Sequence, residues 1–315
     1  MDPLTGVFGD PRARGAFVLR AMMAPPWAFR IEDEAPLTLL AMLGGTAQVW
    51  FDDSQPVTLP PGAVALVKGP RHYTMADAAT TPLQVIVGPE PHMCRSVTGE
   101  ELADAWLLGP RTWGNDANGS TRMLIGTYHI ETEVGGRLLG ALPDLVHLHP
   151  DEWDTPLLPL LVEEAGHDLP GQDAMIDRLL DLLVLSVART WLSRQADEAP
   201  AWFRAGCDPV IGPLLQHMHR DPSHPWTVAG LADEAGLSRA ALARRFTEAV
   251  GEPPMTFLTN WRLTLAADLL CQPDETVGSV ATKVGYSSPY ALSTAFKRVR
   301  GMSPRDHRRL HLSTA

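Results

Sequence analysis

Three arginines stand close together in one segment of a chain that is otherwise acidic. The chain has 315 residues and a formal net charge of -11, yet Arg239, Arg244 and Arg245 fall within seven residues of the stretch LADEAGLSRAALARRF. A guanidinium group is permanently charged and presents its donors in a planar fork, so it suits phosphate groups and the edges of nucleic-acid bases. The segment therefore raises the question of an anionic partner.

The positive charge is concentrated in the last third of the chain. Residues 206–315 contain 12 Lys and Arg against 10 Asp and Glu, whereas residues 1–205 contain 14 against 27. The acidity thus belongs to the first two thirds, and the three arginines lie in a region of different character.

Composition and length indicate a globular protein of about two domains, with 45% hydrophobic and 20% charged residues. The longest strongly apolar run, residues 179–188, is interrupted by Asp181 and is too short to span a bilayer. The N-terminus has no apolar core of the kind that a secretory signal requires. We therefore expect a cytoplasmic protein that does not enter a membrane.

The three cysteines, Cys94, Cys207 and Cys271, are odd in number and far apart in the sequence. They make neither a disulfide framework nor a zinc motif. Buried or incidental thiols are the ordinary interpretation, and redox sensing by Cys94 is the alternative.

The pattern of the first two thirds changes from strands to helices near residue 137. Residues 16 to about 135 contain short apolar runs separated by Gly and Pro, which predicts a small barrel or sandwich. Residues 138–148 predict a short helical segment, and residues 172–195 predict a long amphipathic helix. Its predicted apolar stripe either joins two copies of the chain or packs on the barrel, and consists of Met175, Leu179, Leu182, Leu183 and Val187.

Residues 196–207 read as a linker, and the region that follows contains only short helices. The helix starts are marked by residues that cap N-termini well, and Pro304 suits a first helical position. The predicted caps are Thr227, Ser238, Thr276 and Ser303.

The C-terminal region repeats itself after about 50 residues. In both copies an alanine precedes a glycine by four residues, as in Ala232 and Gly236, and then Ala281 and Gly285. In each copy a phenylalanine follows, with a glycine five and a proline eight residues further on. The unit is a helix, a tight glycine turn and a second helix, which is the kind of unit that places its second helix in the DNA major groove. Two ordinary helical hairpins with solvated arginines are the alternative.

Residues 208–309 resemble the double helix-turn-helix domain of the AraC/XylS family of transcription regulators. The matching positions are Ala232, Gly236, Ser238, Leu242, Arg245, Phe246, Gly251, Pro254, Arg262, Ala266, Leu269, Leu270, Val280, Ala281, Gly285, Tyr286, Phe296, Lys297, Gly301, Ser303 and Pro304. Upstream, the stretch GGTAQVWFDDSQPVTLPPGAVALVKGPRHYTM resembles the cupin-like sensor domain of one AraC subgroup.

The resemblance implies an α+β multidomain fold. Residues 1–195 would form a cupin-like β-barrel followed by helices, and residues 208–315 an all-α double helix-turn-helix domain. The recognition helices would cover about residues 238–250 and 288–300. The expected partners are double-stranded promoter DNA, an unidentified small-molecule effector, a second copy of the chain and RNA polymerase, with no cofactor. The resemblance leaves both activation and repression open.

In the first recognition helix, which begins at Ser238, the resemblance implies that Ala240, Ala241 and Arg244 face the bases. Arg244 could hold a guanine edge through two hydrogen bonds, and the alanines could touch thymine methyl groups. Arg239 and Arg245 flank this face, and Arg245 suits a phosphate contact or an ion pair between helices.

The second recognition helix departs from the family pattern because Pro289 and Ala291 stand where polar base readers are common. Its base contacts would be limited to Ser288, Tyr290 and Thr294. Three cations would serve phosphates, namely Lys297, Arg298 and Arg300. We expect the first unit to specify sequence and the second mainly to anchor.

The candidates for a sensor site are less distinct. A metal-binding cupin needs a close histidine pair with a carboxylate, but the matching strand region has no histidine, so no metal ligand is assigned. His92 and His129 are isolated candidates, and the residues expected at a ligand are Trp50, His72 and Cys94. Five apolar residues either line a ligand pocket inside the barrel or fill it as an ordinary core, namely Trp27, Phe29, Trp50, Met75 and Val85. The alternative function is a metal-dependent cupin enzyme with an accessory helical domain.

Overall fold

The computed structural model describes residues 17–89, 93–128, 133–195 and 199–312. It divides into two compact units, each of which has its own core. Of the described residues, the N-terminal unit contains 17–89, 93–128 and 142–194, and the C-terminal unit contains 133–141, 195 and 199–312. This division differs from the predicted domain of residues 1–195, because a short segment of that range belongs to the C-terminal unit.

Two β-sheets form the framework of the N-terminal unit. The strand order is β10-β11-β1-β12-β3-β6-β13 in one sheet and β5-β4-β7-β2-β8-β9 in the other. The strands are β1 Phe17–Met23, β2 Ala28–Ile31, β3 Leu37–Gly44, β4 Ala47–Trp50, β5 Val57–Leu59, β6 Val64–Lys68, β7 Tyr73–Ala76, β8 Val85–Val87, β9 Cys94–Ser96, β10 Leu107–Gly109, β11 Thr112–Trp113, β12 Thr121–Tyr128 and β13 Leu145–Leu148.

The two sheets share one apolar core, because alternate residues of each strand point to the same face. From the seven-stranded sheet, β1 contributes Ala21 and Met23 to this core and β12 contributes Met123. The six-stranded sheet contributes Phe29 and Met75, among others. The expectation of a cupin-like sheet domain at this end of the chain is confirmed.

The helices within the described residues number eleven. They are α1 Glu133–Ala141, α2 Leu157–Glu164, α3 Gln172–Arg194, α4 Ala201–Cys207, α5 Ile211–Arg220, α6 Val228–Glu234, α7 Arg239–Val250, α8 Pro254–Leu270, α9 Val277–Lys283, α10 Pro289–Arg300 and α11 Pro304–Leu312. None of them is long and apolar enough to cross a membrane.

Residues 138–148, which the sequence predicts to be one helical segment, form the end of α1 and then strand β13. The prediction is wrong for Leu145–Leu148, because this strand pairs with β6 and alternates in burial, with Val146 and Leu148 buried. A four-residue run is too short to show whether its apolar period is that of a helix or of a strand. Pairing with β6, which is distant in the sequence, makes this segment a strand.

The long helix is confirmed as α3, but its predicted stripe is only partly buried, because Leu183 and Val187 are buried and Met175 and Leu182 are not. Its buried positions include Ile176, Leu180 and Leu183, whereas Met175 is 53% exposed and Leu182 is 47% exposed. The helix carries apolar residues on more than one side, so its sequence alone does not show which side packs. Packing against the sheet leaves Met175 and Leu182 at the surface.

The predicted linker, residues 196–207, is partly a packed helix. Residues 196–198 lie outside the described residues, but residues 201–207 form α4, in which Phe203 and Ala205 are buried. Ala205 belongs to the apolar core of α5, α6, α7 and α8. The linker prediction is therefore wrong for α4, whose seven residues are too few to show a helical period in the sequence.

Candidate nucleic-acid interface

The first helix-turn-helix unit consists of α6 and α7, joined by a turn at Gly236. The α6 helix begins at its cap Thr227, whose Oγ1 accepts a hydrogen bond from the Gly230 N–H at 3.0 Å. After the helix ends at Glu234, Gly236 adopts φ +65°, and the Leu237 N–H donates to the Ala232 carbonyl at 2.9 Å. This is a Schellman turn, which needs a left-handed residue and therefore favours glycine.

The second unit repeats this backbone geometry in α9 and α10. Gly285 has φ +80°, and the Tyr286 N–H donates to the Ala281 carbonyl at 2.8 Å. Ala281 is buried like its counterpart Ala232, which confirms that small residues stand where the two helices approach. The repeat in the sequence thus corresponds to the same backbone hydrogen bond in both turns.

Each recognition helix starts at a serine that caps it. Ser238 Oγ accepts a hydrogen bond from the Ala241 N–H at 3.2 Å, and Ser288 Oγ accepts one from the Ala291 N–H at 3.1 Å. The predicted caps Thr276 and Ser303 also accept hydrogen bonds from the first turns of their helices. These starts confirm the predicted bounds of both recognition helices.

The α7 helix is fixed by its buried side and leaves the opposite side exposed. Leu242 and Phe246 are fully buried at a spacing of four residues, so they hold the helix against its core. Arg239, Ala240 and Arg244 are exposed, and Ala241 is half-buried. The predicted base-facing residues therefore lie on or beside one accessible face.

Arg244 has only a weak partner within the unit. Its Nε lies 3.9 Å from Glu248 Oε1, and the two side chains are 77% and 70% exposed. An ion pair so exposed contributes little free energy. The guanidinium group can therefore turn to another acceptor at small cost.

Arg245 forms the ion pair between helices that was one of its two expected roles. Its Nη2 donates to Asp208 Oδ2 at 3.1 Å, just before α5. Burial of Asp208 opposes its ionisation, but hydrogen bonds from the Ile211 and Val210 N–H groups and from Arg245 outweigh it and lower the pKa of Asp208. The pair ties the start of α5 to the recognition helix.

We expect the stabilisation by Asp208 to be lost in acid. Because its pKa in the folded protein is below the ordinary value of 3.8, the stabilisation is present above that value and disappears as the pH falls through the folded pKa. Asp208→Asn should lower the unfolding temperature at pH 7, and the difference from the unchanged protein should shrink below about pH 4. Circular dichroism melts across pH check this, with the exposed Asp274→Asn as a control. A difference that does not change with pH would contradict the assignment.

The α10 helix presents a mixed surface. Leu292 and Phe296 are buried at the positions that correspond to Leu242 and Phe246 of α7. Pro289 occupies the first helical position, where its missing N–H costs no hydrogen bond. Its exposed polar and charged residues are Tyr290 at 81%, together with Thr294, Lys297 and Arg298.

Two comparisons with known proteins bear on this geometry. The family model described as Cupin matches residues 2–193, and that of a Helix-turn-helix domain matches residues 231–310. A protein of Streptomyces lividans named as an AraC-like transcription regulator is 32% identical, over 98% of this chain and 98% of its own. The chain belongs to the AraC-like transcription regulators.

Further relatives carry the same kind of name. The HTH-type transcriptional regulator AlkR of Acinetobacter baylyi is 31% identical to this chain. The alignment covers 98% of this chain and 99% of AlkR. The solved DNA-binding domain of AdpA, a global transcriptional factor in complex with a target DNA, is 31% identical, covers 34% of this chain and 96% of its own, and has a TM-score of 0.32. The helix-turn-helix match and the names of the two full-length relatives show that the AraC-like regulator is a DNA-binding transcription regulator.

The C-terminal unit of the AraC-like regulator also contains α1, which sequence reasoning assigned to the other domain. The Glu133 N–H donates to Asp268 Oδ1 of α8 at 2.6 Å, and Glu133 Oε2 accepts from Arg300 Nη1 of α10 at 2.8 Å. Arg300, grouped above with the phosphate-binding cations, is therefore half-buried in an ion pair. No short-range signal could have shown this contact, because 167 residues separate the partners.

Arg262, a residue of the family motif, joins the two halves of the DNA-binding region. Its Nε donates to the Pro222 carbonyl at 2.7 Å and its Nη2 to the His224 carbonyl at 2.8 Å. These carbonyls lie in the loop that precedes α6, whereas Arg262 lies on α8. The contact fixes the first unit relative to the long helix that leads to the second.

The predicted ligand residues of the sensor lie in one sheet but not all together. Trp50 on β4 and His72, just before β7, belong to neighbouring strands, whereas Cys94 lies on β9 at the far edge. Trp50 is half-buried and points away from the core that Val49 enters. Cys94 is buried, and burial raises the pKa of its thiol to about 11, so the reactive thiolate is scarce at neutral pH.

The interior between the two sheets is filled by side chains. Trp27, Phe29, Met75 and Val85 all belong to its core, and the buried Trp27 indole N–H has no hydrogen-bond partner among the described residues. The part of the chain that the structure describes contains no group of three His, Cys, Asp or Glu placed to hold a metal. His92 and His129 lie outside the described residues. A ligand inside the barrel stays a prediction.

Proposed function

We propose that this AraC-like regulator reads the sequence of its promoter mainly with α7. The observation that carries this proposal is the exposed face formed by Ala240 and Arg244, which no strong internal contact occupies. A guanidinium group placed in the major groove can bind the two acceptors of a guanine, and the methyl group of alanine suits thymine. These are the contacts by which sequence is distinguished.

The second recognition helix would mainly anchor the protein on DNA. Lys297 and Arg298 are exposed near the end of α10 and suit phosphate groups, which position a protein without specifying sequence. Tyr290 and Thr294 are its exposed candidates for base contact, and Ser288 is occupied as the cap. Bound to one face of the duplex, the two helices would enter grooves about one helical turn apart.

The N-terminal unit would supply the signal that controls DNA binding. A small molecule that binds one conformation better than another shifts the population of molecules able to bind a promoter. Promoter DNA and such an effector are the partners we propose, with contact to RNA polymerase resting on the family resemblance. Because promoter DNA is the target, the proposed location is the cytoplasm.

A second copy of the chain is the partner proposed for α3. Met175, Leu179 and Leu182 follow one another at intervals of four and three residues along its outer side, which is the spacing of a two-helix seam. Two of these residues are about half exposed in the single chain. Pairing two such helices about a twofold axis would cover both surfaces at once.

We expect the double change Met175→Glu with Leu182→Glu to convert the protein to a monomer. Charges placed at the seam would oppose pairing, whereas folding should be unaffected because both side chains point outward. Sedimentation equilibrium measures the mass. Leu169→Glu is the matched control, since Leu169 is 59% exposed but lies before the helix. A double variant that stays dimeric would place the interface elsewhere.

The function is tested by fluorescence anisotropy of the full-length protein on DNA from immediately upstream of its own gene. We expect binding to this DNA to be tighter than to unrelated DNA of equal length, and to weaken with salt as phosphate contacts are screened. Equal affinity for both DNAs at every salt concentration would contradict reading of this promoter.

A further inference from the structure

A cavity of about 310 Å³ lies in the N-terminal unit between the seven-stranded sheet and α2. Its apolar walls include Met22 of β1, Leu43 of β3, and Leu158 and Val162 of α2. Two arginines, Arg20 of β1 and Arg122 of β12, are the charged residues that line it. Its size is at the lower end of the range for sites that bind small molecules.

The register of β1 and β12 places both arginines on the outer face of the sheet. Arg20 stands opposite Leu124, and Arg122 stands opposite Met22. Residues opposite one another point to the same face, so the two arginines are diagonal neighbours within reach of one small group. The alternate residues, such as Met123, enter the core between the sheets. Ala21 and Met123 also line the cavity, so it lies on the outer side of the sheet and borders residues of the core.

The two arginines have no carboxylate partner within the described residues, although their unit is acidic. Other arginines of the unit form ion pairs, for example Arg30 with Asp52 and Arg111 with Asp173. Neither Arg20 nor Arg122 forms an ion pair or a side-chain hydrogen bond with the part of the chain that the structure describes. Two neighbouring guanidinium groups repel one another, and an anion between them would remove that repulsion.

Two glycines make room for the guanidinium groups. A Cβ atom at Gly166 would lie 2.8 Å from Arg20 Nη1, and one at Gly44 would lie 3.0 Å from Arg122 Nη2. Neither glycine has a positive φ, so the turn geometry does not call for glycine at these positions. Each glycine thus borders the end of one of the two arginine side chains.

We propose that this cavity binds an organic anion, namely a carboxylate on an apolar body, with Arg20 and Arg122 holding the carboxylate. A carboxylate accepts paired hydrogen bonds from guanidinium groups, and the apolar walls exclude water from the rest of the molecule. A regulatory role for this ligand deepens the proposed function and rests on it. The chain that leaves β12 at Tyr128 enters α1 of the C-terminal unit at Glu133, five residues later, which gives the site a covalent route to the DNA-binding region.

Isothermal titration calorimetry of the full-length protein tests the site in the absence of DNA. The probes are octanoate, the neutral 1-octanol, and butanoate and decanoate to examine length. We expect octanoate to bind more tightly than octanol, and Arg20→Met or Arg122→Met each to weaken octanoate binding by roughly tenfold, as expected for loss of a charged hydrogen bond. The matched control is Arg178→Met, an exposed arginine of α3 that should leave binding unchanged.

Two further measurements keep the result interpretable. Val162→Trp should fill the cavity and abolish binding of octanoate and octanol alike, while melts show whether each variant is folded. Arg122 is exposed, so its variant carries the test if Arg20→Met does not fold. Octanoate binding that survives the loss of both arginines, or no binding of any of these carboxylates, would overturn the proposal. Promoter affinity measured with and without octanoate tests the regulatory part separately.

Discussion

Replacing Arg244 by alanine is expected to weaken binding to the promoter by about five- to 150-fold while changing binding to unrelated DNA little. This range corresponds to the roughly 1–3 kcal/mol by which a two-hydrogen-bond contact to a guanine discriminates against other bases. The side chain is 77% exposed and weakly paired, so its loss should leave the unfolding temperature unchanged. Fluorescence anisotropy on both DNAs measures the two affinities.

Two matched variants separate base reading from simple attraction. Arg244→Lys retains the charge but not the planar fork, so we expect most of the discrimination to be lost. Lys297→Ala should instead weaken binding to all DNAs alike. It should also reduce, by about one, the steepness with which the logarithm of affinity falls with the logarithm of salt concentration. If Arg244→Ala weakened specific and unrelated DNA equally, Arg244 would be a phosphate contact, and base reading by α7 would lose its main residue.

The double helix-turn-helix could be predicted from the sequence because its signals are local. Each cap, such as Ser238 or Thr276, bonds to a backbone N–H within three residues. Each turn glycine, such as Gly236, forms its Schellman turn within the same short stretch. Interactions of this range are encoded by a few adjacent residue types, so the repeat in the sequence carries over to the structure.

The features that the sequence did not indicate depend on partners far along the chain. Strand β13 is defined by pairing with β6, and α1 is placed by contacts of Glu133 with Arg300 and Asp268. The packed side of α3 is likewise chosen by the sheet it meets rather than by its own apolar pattern. The same holds for the cavity, since only the register of β1 with β12 brings Arg20 beside Arg122.

The two turn glycines allow a sharp test of how the units are built. Gly236 and Gly285 both have a positive φ, which costs an alanine roughly 1–2 kcal/mol. Apart from its own residue and the two beside it, nothing lies within 4 Å of a Cβ built on Gly236, whereas one built on Gly285 would lie 2.8 Å from the Ser223 backbone and from Arg262 Nη2. Backbone atoms cannot move aside cheaply, and a displaced Arg262 would lose its hydrogen bonds to the loop before α6.

We therefore expect Gly285→Ala to reduce the free energy of unfolding by about 3 kcal/mol or more, and Gly236→Ala by only about 1–2 kcal/mol. Gly278→Ala is the matched control, because Gly278 lies within α9 and a Cβ there would make only ordinary contacts, with the nearest atoms at 3.7 Å. Alanine favours a helix over glycine, so this control should be neutral or stabilising. Urea unfolding followed by circular dichroism measures all three free energies of unfolding.

Equal losses for Gly236→Ala and Gly285→Ala would mean that the left-handed turn alone sets the requirement for glycine. A larger loss at Gly285 would show that Arg262 and the loop it holds depend on the absence of a side chain in the second turn.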